Sequence, residues 1–210
     1  MSISKLTEQY IESRPSVKDC LKKKLVNYSK LSRRIMKDNN LKSSDFDAVL
    51  TAARRYFWKL SKFVAAEDKI RVILSSSRIE IKNKIIVVVI DKHIFNDDLL
   101  ELERRIKKSR NVFYAIEGTD AITIITATAF LDDIRSSFKS SIIKVWKELA
   151  LVIIASPEQI EETPGVNSYL SSLLSDRGIN VVEMMSCWSE TLFVVSEDVI
   201  AKVLDVLKFS

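Results

Sequence analysis

The residue pattern with the clearest chemistry is Pro164-Gly165-Val166 followed, one helical stretch later, by Gly178-Ile179-Asn180. Glycine is scarce, 3 in 210 residues alongside 3 prolines, yet two of the glycines bracket this one segment. A glycine at the first turn of a helix leaves backbone N–H groups reachable, and with the positive end of the helix dipole they can hold a carboxylate. The preceding loop 156–164 is long, acidic and carries Pro157 and Pro164, which packing alone does not require. This pattern predicts an anion-accepting corner. Each glycine also has a structural use: Gly178 as the left-handed residue that ends a helix, and Gly165 as part of a tight turn into one.

Catalytic chemistry is poorly supplied. His93 is the single histidine, Cys20 and Cys187 are far apart without a base nearby, and no Cys/His cluster has metal-ligand spacing. Asp97-Asp98 and Asp132-Asp133 fit the first turns of helices, where acids complement the dipole. The expectation is a non-enzymatic chain with no catalytic residue, no cofactor and no metal.

A second chemistry lies at the N-terminus. Residues 1–62 carry 15 Lys and Arg against 6 Asp and Glu, whereas residues 150–210 carry 3 against 9. Lys22, Lys23, Lys24, Arg33, Arg34, Arg54 and Arg55 stand out as candidate contacts to nucleic acid or to an acidic partner. Val26 to Ile35 read as a capped helix bearing paired arginines, within a bundle that could form a helix-turn-helix. A solvated cationic face is the bland alternative.

The first 64 residues read as helices only. Phe46, Val49, Leu50, Ala53, Phe57 and Leu60 form a 3.6-period stripe, with Ser43 or Ser44 as its N-cap. From residue 69 the texture becomes β-branched runs between amphipathic helices. Residues 70–74 and 79–82 suggest a lead-in hairpin. The order βαββα then runs through a strand at 84–90, a helix at 96–108, strands at 112–117 and 121–127 and a helix at 130–138. After a further candidate strand at 141–146 the order repeats: 150–155, 165–176, 179–186, 191–196 and 197–209. This is an internal duplication of architecture. No apolar run is long enough to span a bilayer, no secretory signal is evident, and two lone thiols suit a reducing compartment, so the expected location is the cytoplasm.

The C-terminal repeat resembles the ACT domain, and is most similar to the regulatory ACT domains of aspartate kinases. The residues that carry the likeness are Leu151-Val152-Ile153-Ile154, Thr163-Pro164-Gly165-Val166, Leu173-Leu174, Arg177-Gly178-Ile179-Asn180-Val181 and Thr191-Leu192-Phe193-Val194-Val195. The preceding repeat resembles a degenerate copy. Added to the basic helical module read at 1–66, the resemblance implies an α+β fold completed by a degenerate ACT-like unit at 67–147 and an ACT domain at 148–210, both ferredoxin-like βαββα with antiparallel sheets. It also implies that an amino acid or similar effector meets Gly165, Val166, Asn180 and Val181, with Asn167 adding a side-chain amide, in a homodimer joined through sheet edges or helices. The output then falls to the basic module, as a DNA-binding transcription regulator or, alternatively, as a regulatory or assembly subunit docking on a metabolic enzyme without DNA.

Overall fold

The structure is a computed structural model that describes residues 1–61, 65–92 and 96–209; Lys62 and His93 lie outside the described residues. The chain divides into two compact units, Met1–Asp68 and Lys69–Ser210.

The first unit is helical. It holds α1 (Ile3–Glu12), α2 (Pro15–Lys22), α3 (Tyr28–Asp38) and, after a 3-10 turn at Ser43–Asp45, α4 (Phe46–Ser61). Ser2 caps α1, Pro15 sits in the first turn of α2, and the Asn27 side chain accepts the Lys30 N–H to start α3. No serine caps α4. Instead the Asp45 carboxylate accepts the Lys42 N–H at 3.0 Å, and the 3-10 turn feeds the helix directly. The buried face of α4 is broader than the apolar stripe in the sequence, because α1 and α3 both pack on it. Val49, Ala53 and Leu60 are buried as the periodicity predicts, joined by Ala52 and Tyr56, while Phe46, Leu50 and Phe57 are only half-buried.

The second unit opens within α5 (Ala65–Ser75), not with a hairpin. Ile70 and Leu74, spaced i,i+4, are buried in one cluster, and the Ser75 and Ser77 hydroxyls donate to the Val72 and Ile73 carbonyls at 2.8 and 3.0 Å. The serine run therefore closes a helix end, a use of serine that β-branched composition conceals. Then come β1 (Arg78–Asp91), α6 (Asn96–Lys108), β2 (Phe113–Glu117), β3 (Ala121–Ala127), α7 (Leu131–Phe138), β4 (Ile142–Ala155), α8 (Val166–Ser175), β5 (Val181–Cys187), β6 (Glu190–Ser196) and α9 (Ile200–Val206). This is the α+β class, with βαββα occurring twice.

All six strands form one antiparallel sheet in the order β2-β3-β1-β4-β6-β5. The central strands β1 and β4 are 14 residues each, and each serves both repeats. The second half of β1 pairs with β3, while its first half pairs with the second half of β4, which in turn pairs with β6. Residues 147 and 148 thus lie inside β4. The two segments read from sequence as 141–146 and 150–155 are one strand, kinked where Glu148 takes a φ of 57°. Lys84 takes the same φ at the equivalent place in β1, and the register shifts at both points. The break in β1 is tied down by the Thr128 hydroxyl donating to the Lys84 carbonyl at 2.9 Å and by the Lys84 N–H donating to the Glu197 carboxylate.

Alternation along the strands builds a core on each face. Ile86, Val88, Ile90, Ile122 and Ile124 meet Leu102, Ile106, Ile134 and Phe138 of α6 and α7. Val152, Ile154, Phe193 and Val195 meet α5, Leu170 and Leu174 of α8 and Val203 of α9. The other face curls over Ile85, Val87, Ile125, Leu151 and Val194, and both edge strands contribute to it, through Tyr114 of β2 and Val182 and Met185 of β5. Burial there, with the negative charge of Glu190 second, pushes the Tyr114 hydroxyl above its ordinary pKa.

Candidate functional site

The glycine-bracketed segment folds into α8 and its flanking turns. Gly178 takes a φ of 67°, its N–H donates to the Ser175 carbonyl at 2.9 Å, and the next N–H, of Ile179, reaches back to Leu174 at 3.0 Å. Leu174 and Ile179 share the buried cluster beneath. These bonds make the left-handed helix stop that glycine permits, so Gly178 has a structural role.

The opposite end of α8 is built differently. Gly165 stands at its N-cap with a φ of 94° and offers no side chain to the first N–H groups, while its carbonyl accepts the Tyr169 N–H at 2.9 Å. The loop leading to it is anchored rather than loose. Ile160, at the end of a 3-10 turn Glu158–Ile160, is buried; the Thr163 hydroxyl donates to the Gln159 carbonyl at 2.7 Å; and the Ser156 N–H donates to Ser189 in the β5–β6 turn at 2.9 Å. Ser77 ties the start of the loop down with a 2.8 Å bond to Ser156.

A groove of about 500 Å³ opens at this helix end, lined among others by Glu161, Thr163, Gly165, Asn167, Ser186 and Trp188. Trp188 is 65% exposed at the hairpin tip, with a φ of 49°. The groove thus combines open backbone donors, one carboxylate, hydroxyls and an aromatic wall. Backbone N–H groups at a helix start suit a carboxylate, and Glu161 suits an ammonium group.

Gly165, Val166 and Asn167 therefore come together on one groove. Asn180 and Val181 do not line it: they lie after the C-terminal end of α8, roughly 15 Å along a ten-residue helix from its start. Sequence reasoning missed Glu161, Ser186 and Trp188. The acidic loop signalled Glu161, but Ser186 and Trp188 reach the groove only because β5 runs antiparallel back along α8. The equivalent corner of the first repeat includes residues 93–95, outside the described residues.

The basic candidates all lie in the helical unit. Lys22 ends α2, Lys24 takes a φ of 57° in the following turn, and Arg33, Arg34, Arg54 and Arg55 are exposed on α3 and α4. Lys23 pairs with Asp19 at 2.9 Å and Arg34 with Asp38 at 3.0 Å, so these two are partly neutralised. Among the described residues no cluster of His, Cys, Asp and Glu could hold a metal ion, and no helix is long and apolar enough to cross a membrane.

No protein-family model matches this chain, and no curated protein matches its sequence. Solved structures do. Aspartate kinase from Clostridium acetobutylicum aligns with a TM-score of 0.51 at 17% identity, over 62% of this chain and 33% of that one. The regulatory subunit of aspartate kinase from Thermus flavus aligns with a TM-score of 0.50 at 9% identity, over 64% of this chain and 96% of that one. The sheet unit has an ACT-like fold. Aspartate kinase from Synechocystis gives a TM-score of 0.50 at 16% identity, over 63% of this chain and 26% of that one. This chain therefore spans about a third or less of the two full kinases, and at these identities the likeness is one of fold. The alignment with the Thermus flavus regulatory subunit takes in nearly the whole of that chain.

Proposed function

We propose that this chain is a non-catalytic regulatory protein that senses a small metabolite, an amino acid, through its ACT-like unit. The observation that carries the reading is the groove at the start of α8, where Gly165, Val166 and Asn167 face Glu161 and Trp188. A free amino acid carries both a carboxylate for the helix start and an ammonium group for Glu161, and its side chain would lie along Trp188. Asn180 and Val181 would act from another ACT-like unit, in a homodimer joined through sheet edges or helices. The helical unit is the output side, whose exposed cations suit DNA or an acidic surface on a metabolic enzyme. Signalling requires the effector to bind two arrangements of the protein with different affinities.

A thermal-shift screen of the twenty amino acids at millimolar concentration tests this. A true effector should raise Tm in a concentration-dependent way, with about 2.7 kcal/mol of added stability at a hundredfold excess over Kd. Glu161→Gln and Asn167→Ala should each weaken that response without changing the melt of the unliganded protein. Silence to all twenty would sink the sensing role and leave assembly as the use of the fold.

A further inference from the structure

We infer that the helical unit carries a binding groove for single-stranded nucleic acid, formed by Lys24, Tyr28, Arg54, Phe57 and Trp58. These five residues line a cavity of about 330 Å³ between the turn before α3 and the C-terminal half of α4. Three are aromatic and two cationic, and no carboxylate is among them. The Phe57 and Trp58 rings meet edge to face with centroids 5.5 Å apart, and the Lys24 ammonium stands 5.9 Å over the Phe57 ring. Trp58 is 70% exposed. Lys24 and Arg54 have no ion-pair partner among the described residues, unlike Lys23 and Lys59, which pair with Asp19 and Glu8.

The residue types select the ligand. Cations alone would serve any polyanion, duplex DNA and acidic proteins included. The exposed Trp58 ring beside them, with the half-buried Tyr28 and Phe57, adds a surface on which unpaired bases stack, while the cations track the backbone phosphates. Bases in a duplex are already stacked on one another and do not offer their faces. Lys24 stands in a left-handed turn, with its ammonium group over Phe57 of α4. The surrounding unit adds to the attraction, with 15 Lys and Arg against 6 Asp and Glu in residues 1–62.

This proposal rests on the helical unit being the output side and does not depend on the metabolite groove. A failed amino-acid screen would leave it standing, and a failed nucleic-acid titration would leave the metabolite site standing.

The test is fluorescence polarisation of labelled twelve-nucleotide oligo(dT) and oligo(U) with the full chain, at 50 and 200 mM salt. Binding should be tighter at low salt and tighter than to a duplex of the same length. Trp58→Ala should weaken it by between about fivefold and a hundredfold, whereas Trp58→Phe, which keeps a ring, should retain most of it. The Lys24→Ala, Arg54→Ala double variant should lower the slope of log affinity against log salt by about 1.4. Circular dichroism and an unchanged melt establish that the variants are folded. No single-strand binding at 50 mM salt would overturn the proposal. So would a duplex bound as tightly and indifferent to Trp58→Ala, or polyglutamate displacing the oligonucleotide at equal charge concentration, which would mark an acidic-partner surface.

Discussion

Tyr56 shows how much one side chain contributes to the helical unit. It is buried on α4, and its hydroxyl donates to the Glu12 carboxylate of α1 at 3.1 Å. Burial, then the bond to Glu12, pushes its pKa up from 10.0 to about 12. A hydroxyl whose pKa rises on folding stabilises the folded state fully below its unfolded value, and that contribution is lost as pH climbs through the folded one. Thermal melts between pH 9 and 12.5 should therefore show the helical unit weakening from about pH 10 upward. Tyr56→Phe should flatten that decline, and a variant with an identical alkaline profile would refute the assignment. In the sequence Tyr56 fell off the apolar stripe; only the second packing partner of α4 accounts for its burial. Gly165 and Val166, by contrast, were marked in the sequence by the shortage of glycine elsewhere, and both line the groove at the start of α8.

Helix α8 joins a structural end to an open one. Its stop at Gly178 depends on a left-handed residue with room for a side chain: a Cβ added there meets nothing within 4 Å. Gly178→Ala should therefore cost about 1–2 kcal/mol of conformational strain with no steric clash, read as a lower urea midpoint at constant m-value. Gly178→Asn should cost less, since asparagine tolerates that conformation. Equal stability of all three would mean that the turn finds another geometry. The positions of α6 and α8, and of β2, β3, β5 and β6, followed from apolar periodicity and turn residues to within a few positions. The hairpin expected at 70–82 was instead the end of α5 and the start of β1. Ile70 and Leu74 read as strand residues until the sheet supplied a surface for one helical face.

At the scale of the whole molecule, the decisive feature is the exchange at the centre of the sheet. The N-terminal half of β1 lies against the C-terminal half of β4, so neither βαββα repeat completes its sheet alone. Fragments 69–147 and 148–210 should each lack a cooperative melt, whereas 69–210 should melt as one transition. Mixing the two fragments should restore β-sheet circular dichroism, and independent folding of either would contradict the shared-strand account. Sequence alone determined the helical head, its basic charge and the βαββα duplication, because periodicity, charge and turn chemistry are local properties. Tertiary structure decided what no local pattern encodes: that β1 and β4 each serve two repeats, that Ser186 and Trp188 share a groove with Gly165, and that Asn180 stands at the far end of α8. Those relations depend on strand pairing and chain reversal, which are set by contacts between residues distant in sequence.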